Sequence, residues 1–205
     1  MMHNKGLKYV LLLLIFASCR PHVFTPKPTG FFKIDTPATH QYRLFSRPDF
    51  PYSFEYPVYS NVVQDTMNRK LISQYPFWVN VVFPDLEGMI NITYRDISPE
   101  TPLNKLNEDS WYLSFAHHDK MDSLGYWECD DKAGTKGVLL VLGGNTASRY
   151  QFVVSDSLKH FIRGALYFNA TPNADSLKPA TDFLEADIKH MMSTIKWKTP
   201  GKALH

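Results

Sequence analysis

The chain has 205 residues, 44% hydrophobic and 14% aromatic, with 22 basic and 20 acidic side chains. Lys5 and Lys8 lie in the first nineteen residues, which hold no acid, so the remainder is neutral overall. A neutral chain lacks the clustered basic field of a nucleic-acid binder, and the length suits one domain with a sizeable core.

In chain order, residues 1–18 read as a secretory signal peptide. A basic start precedes the apolar run Tyr9–Phe16, which is well short of the roughly 20 residues that cross a bilayer. The sequence Phe16-Ala17-Ser18-Cys19 resembles a bacterial lipoprotein box, in which the cysteine sulfur receives diacylglycerol and the amine released by cleavage is acylated. Two or more acyl chains anchor a protein stably where one does not. The expectation is therefore lipidation of Cys19 and a globular body tethered to an envelope membrane. Residues 19–30, with Pro26 and Pro28, read as an extended, semi-rigid tether. The globular domain is expected over 31–198, with a tail at 199–205. Once Cys19 is lipidated, Cys129 is the only thiol, so the core rather than a disulfide must hold the fold.

Within the domain, Gly30–Asp35 alternates weakly and is expected to be extended. Pro48–Pro57 reads as a short strand with Tyr52, Phe54 and Tyr56 on one face. Phe77–Phe83 and Met89–Tyr94 predict an antiparallel hairpin around the turn residues Pro84–Gly88. A first helix follows, with Thr101 as N-cap and Pro102 at its first position. Leu103, Leu106, Ser110, Leu113, His117, Lys120 and Leu124 recur at spacings of three and four along it, with Trp111, Phe115 and His118 on a stripe beside. Four strands are then expected at Tyr126–Asp130, Gly137–Leu142, Arg149–Val154 and His160–Asn169. A closing helix over Leu177–Ile195 carries Leu177, Ala180, Leu184, Ile188, Met191 and Ile195 on one face. The connections are mostly too short for parallel crossovers, which predicts the α+β class: a mainly antiparallel sheet covered by helices.

The motifs that suggest chemistry each have a plainer reading. Gly143-Gly144-Asn145 lacks the Gly-Lys-Ser/Thr ending and the following helix of a phosphate loop, and reads as a tight turn. His117-His118-Asp119-Lys120 offers two histidines about 100° apart on a helix, unsuited to chelating one metal. Cys129 lies between Glu128 and Asp130, neighbours that raise a thiol pKa and oppose nucleophilic use. Arg149, Arg163 and Tyr167 fall on neighbouring strands, Arg163 and Tyr167 on one face, and with Asn145 form a candidate surface for an anion or a partner carboxylate. His117 and Lys120 continue the Leu103–Leu113 stripe, so they face the sheet or lie at its edge, near this surface. The four Asp-Ser/Thr-apolar triplets around Thr66, Ser123, Ser157 and Ser176 look like the O-glycosylation site of exported Bacteroidetes proteins, and also suit turns or helix starts.

Taken together, these segments resemble the gliding motility lipoprotein GldD family of Bacteroidetes. The resemblance runs through Pro26-Lys27-Pro28, Gly30–Asp35, Pro51–Tyr56, Trp78–Val81 and the helix carrying His117–Lys120, and is strongest in Gly143–Phe152 and His160–Phe168. It extends to the closing helix and ends near Trp197. The resemblance implies an envelope lipoprotein needed for gliding and for the type IX secretion machinery, with no cofactor, metal or catalytic residue attached to the family. The layout after Pro51 also looks like the Mog1/PsbP-like α/β/α sandwich. The expected function is thus a non-catalytic accessory subunit that binds other envelope proteins, anchored in the outer membrane and facing the periplasm, with Asn145, Arg149, Arg163 and Tyr167, and His117 and Lys120 nearby, as its recognition surface. Two competing readings are a small-ligand or lipid-binding module with a pocket between the sheet and the first helix, and a hydrolase using His117 with a nearby carboxylate.

Overall fold

The computed structural model describes residues 34–64, 75–116, 118–131 and 134–198, all within the compact unit Phe32–His205. The signal peptide, Cys19, the tether, Thr66, His117 and the tail lie outside the described residues. Strands run at Tyr42–Phe45 (β1), Tyr52–Pro57 (β2), Asn61–Val63 (β3), Val79–Phe83 (β4), Gly88–Asp96 (β5), Leu124–Asp130 (β6), Lys136–Leu142 (β7), Tyr150–Ser155 (β8), His160–Phe168 (β9) and Lys196–Trp197 (β10). Among the described residues two α-helices cover Leu103–Phe115 (α1) and Ala174–Thr194 (α2).

Seven strands form one sheet in the order β3-β4-β5-β9-β8-β7-β6, every pairing antiparallel. The two-residue period of the strands assigns its faces. On β5, Gly88, Ile90, Ile92 and Tyr94 are buried, while Met89, Asn91, Thr93 and Arg95 point the other way. The register carries this alternation across the sheet: Ile90 lies between Val81 and Leu166, and Tyr94 opposite Ile162, which in turn faces Val154. One face thus becomes the core and meets Leu184, Ile188 and Met191 of α2. Gly164 on this face is required by a close approach, because a Cβ there would overlap the Phe152 ring of β8.

The aromatic residues concentrate at the smaller sheet, ordered β1-β2-β10. Phe45, Phe50, Tyr52, Phe54, Phe77 and Tyr94 pack ring to ring with centroids 5.0–6.2 Å apart. The buried Tyr52 hydroxyl donates to the Phe77 carbonyl at 2.6 Å, which removes the cost of burying it. The strand expected over Pro48–Pro57 occupies only Tyr52–Pro57, and the hairpin is present as β4 and β5, with a 3-10 turn at Pro84–Leu86. The strands β1 and β10 carry too few residues for a periodic signal. The architecture is α+β, antiparallel, with a helix on each face of the large sheet, as the order of elements predicts.

The helices depart from expectation at their ends. Pro102, in extended conformation, holds the cap position of α1 without a side-chain cap, and Thr101 donates instead to the Asp96 carbonyl at 2.7 Å. The stripe expected to run to Leu124 stops at Phe115, a 3-10 turn covers His118–Lys120, and Leu124 opens β6. A full ladder from Leu124↔Leu142 to Asp130↔Lys136 outweighs the helical spacing there. Leu113, at the far end of the stripe, is exposed. Helix α2 starts three residues earlier than its apolar pattern, because Asn173 accepts from the Ser176 amide at 3.0 Å and caps it.

Candidate functional site

Helix α1 lies on the sheet face opposite α2 and buries only Leu106 and Ser110. Beneath it is a cavity of about 230 Å³. Its sheet wall is built from adjacent register rows. One row runs Val138–Val153–Arg163 across β7, β8 and β9, and the next pairs Leu140 with Gln151. Helix α1 roofs the cavity with Asn107, Ser110, Trp111 and Ser114. Serines at 110 and 114, one turn apart, turn their hydroxyls back to the Leu106 and Ser110 carbonyls at 2.8 Å, so the contact face carries short polar side chains where a packed helix would carry leucines.

Arg163 is the only charged residue among those lining the cavity. Its guanidinium donates to the Gln151 side-chain oxygen Oε1, which also accepts from Ser114 Oγ at 3.0 Å. Its Nε is buried with no hydrogen-bond partner among the described residues. Burial pushes the Arg163 pKa down, opposed by the interaction with Tyr167. None of the ion pairs among the described residues includes Arg163.

Around the cavity, large side chains of α1 and β6 are exposed. Trp111 is 50% exposed, Tyr112 77% and Tyr126 73%. Tyr126 lies opposite the cavity-lining Leu140 in the β6–β7 ladder, and Leu124 two residues before it is also exposed. The Trp111 and Phe115 rings stack at 5.2 Å along α1. Strand β6 is the last in the sheet, so its outer edge is unpaired within it.

The residues singled out from the sequence divide between two places. Arg163 and Tyr167 come together on the α1 face. Lys120 is exposed in the turn after α1, 3.6 Å from Asp119, and its carbonyl lies against Gly144, whose φ of +82° makes Gly143-Gly144-Asn145 a turn. Asn145 belongs with α2, since its Oδ1 accepts from the Ala174 amide at 2.8 Å. Arg149 also faces that side: its guanidinium lies 5.7 Å from the Tyr150 ring centre and helps hold the Glu185 carboxyl low, after Lys189 and Tyr150. Ser157 sits at φ +61° in a turn where Asp156 accepts three backbone amides, and Ser176 lies in the first turn of α2. Ser123 is exposed and donates to Asp122 at 2.9 Å. The Cys129 thiol is raised by burial first and then by Asp131 and Asp130.

One cluster had no sequence signal except an acid on an apolar stripe. Asp187 of α2 is fully buried and accepts from the Tyr42 hydroxyl at 2.9 Å and from Tyr59, with His40 Nδ1 at 2.7 Å. His40 stacks on Phe183, and Tyr42 on His190, which meets Glu55 at 2.7 Å. This network joins the first described residues to α2. Among the described residues no group of three or more His, Cys, Asp or Glu is placed to hold a metal.

Fold and site define an α+β domain with a lined cavity and an exposed aromatic face on the same side of its sheet. The chain belongs to the gliding motility lipoprotein GldD family, whose model matches residues 21–197. It is also similar to the solution structure of cyanobacterial PsbP (CyanoP) from Synechocystis sp. PCC 6803, at 9% identity and a TM-score of 0.45, over 82% of this chain and 98% of that one. No curated protein matches the chain.

Proposed function

We propose that this gliding motility lipoprotein is a non-catalytic accessory subunit of the motility and type IX secretion machinery, held in the cell envelope by lipid on Cys19. In this reading residues 1–18 are removed, residues 19–30 are the tether, and the anchor lies in the outer membrane facing the periplasm. The observation that carries the reading is the exposure of large side chains on two neighbouring parts of the domain, Trp111 and Tyr112 on α1 and Leu124 and Tyr126 on β6, the last strand of the sheet among the described residues. Aromatic side chains anchor protein interfaces because they combine large contact area with few rotatable bonds. Lys120 and Tyr167 stand exposed on the same domain and belong to the proposed surface with Arg163 and His117, while Asn145 and Arg149, which lie toward α2, form a separate candidate patch. The occupant is another protein subunit of that envelope machinery.

The test is recovery of cross-linked envelope complexes with the double variant Tyr112→Ala, Tyr126→Ala. Recovery is expected to fall while the melting midpoint stays put. A stable variant with undiminished recovery removes this face from the interface. Cys19→Ala tests the anchor: loss of acyl label and release on carbonate washing are expected, and retention in the membrane pellet would refute lipidation as the tether.

A further inference from the structure

We propose that the cavity beneath α1 is a binding site for a small organic carboxylate with an apolar tail, the carboxylate meeting Arg163 and the tail lying along Val138, Leu140, Val153 and Trp111. This inference does not rest on the docking reading above; it follows from the cavity.

The cation comes first. A guanidinium taken out of water without an anion is costly, and neutral acceptors compensate only part of that cost. Gln151 accepts from one terminal nitrogen and Tyr167 is a further hydrogen-bond partner of the guanidinium, yet Nε is left buried and unpartnered among the described residues. Arginine offers a planar fork of donors that matches a carboxylate, and Nε–H belongs to that fork. An anion at this point would supply both the missing acceptor and the missing charge.

Size and lining set the rest of the ligand. About 230 Å³ is below the roughly 300–1,000 Å³ of sites for drug-sized ligands, so the ligand is small. A single cation among the lining residues suits one negative charge rather than the two of a phosphate monoester. The Gln151 amide is the polar group that accompanies the carboxylate, since the Ser110 and Ser114 hydroxyls are already given to the Leu106 and Ser110 carbonyls. The β7 wall, Val138 and Leu140, is apolar and suits a hydrocarbon or ring. The roof buries only Leu106 and Ser110 along its thirteen residues, which leaves α1 free to yield during entry.

The experiment uses hexanoate carrying a labelled carboxyl carbon, titrated into the purified full-chain lipoprotein in detergent and followed by NMR. Acetate tests the charge alone and hexanol the tail alone. Saturable hexanoate binding is expected, with acetate and hexanol each at least about tenfold weaker because each lacks one half of the recognition. Arg163→Met is expected to weaken hexanoate by a similar factor. Val153→Phe, which keeps the cation and fills the cavity, is expected to do the same. In the unmodified protein, cross-relaxation between the hexanoate methyl and the Trp111 indole is expected, and this readout stands even where a variant fails to fold. The proposal is overturned if hexanoate shows no saturable binding, which is the result for a cavity holding only water. It is also overturned if acetate binds as well as hexanoate, which means an adventitious ion only, or if hexanoate affinity survives both substitutions in folded protein.

Discussion

Among the described residues, the two α-helices sit on opposite faces of one sheet and are held in different ways. Helix α2 buries seven residues, among them Leu184, Ile188, Met191 and the charged Asp187, and meets both sheets. Helix α1 buries two, one of them a serine, and roofs a cavity. Both sequences repeat at three and four, so periodicity alone does not separate them. What differs is the volume at the contact positions. Leucine, isoleucine and methionine interlock with the sheet to interior density, whereas Ser110 and Ser114 leave space between helix and strands. The packed helix carries stability, and the loosely seated helix leaves room and exposed aromatic area for binding.

The sharpest way to break this contrast is Leu184→Ala. Full burial predicts a loss of about 2–5 kcal/mol in reversible unfolding, and a loss below about 0.5 kcal/mol would place α2 on the surface. Next is Asp187→Asn, which keeps the shape but weakens the acceptor shared by Tyr42, Tyr59 and His40. A loss of about 1.5–3 kcal/mol is expected, the range for a hydrogen bond to a charged group. If this variant is as stable as the parent, the network does not fasten the N-terminal segment to α2.

Alkaline titration probes the same side of the sheet. Burial, as the largest cause, raises the hydroxyls of Tyr42, Tyr52, Tyr59 and Tyr94 far above their ordinary value of 10.0. Burial and then the hydrogen bond to Glu185 push Tyr150 up to about 12. A raised pKa means that the folded state binds the proton more tightly than the unfolded chain. The resulting stability is fully present below the unfolded value of 10.0 and is lost as pH rises through the folded values. Denaturant midpoints should therefore fall steeply above about pH 10, while ultraviolet difference spectra show these tyrosines ionising only as the protein unfolds. Flat stability through about pH 12 would mean that the hydroxyls are already solvated.

The smallest effect belongs to α1. Tyr112→Ala should change stability by no more than about 0.5 kcal/mol, because the side chain is 77% exposed. A larger loss would show that α1 is braced by contacts on its outer face. Native-state hydrogen exchange gives the companion measurement: α1 amides should open by local fluctuation, and α2 amides only with global unfolding. Equal protection of the two helices would erase the contrast.

The sequence by itself determined the elements whose pattern is local. The alternation in β5, the meander from β6 to β9 and the apolar stripe of α2 all repeat with the period of their own backbone, and such repeats survive whatever the rest of the chain does. The family was legible because order and spacing along the whole chain carry it. Other features depend on partners distant in sequence. Only the tertiary structure paired the two residues of β10 with Ser53 and Tyr52, ended α1 at Phe115 in favour of the β6 ladder, and turned an acid on an apolar stripe into the acceptor of Tyr42, Tyr59 and His40. It also divided the proposed surface, sending Asn145 and Arg149 toward α2 and Arg163 beneath α1. The physical reason is shared. The cost of burying a polar group, backbone or side chain, is set by what stands opposite it, and segments far apart in the chain supply those partners only when it has folded.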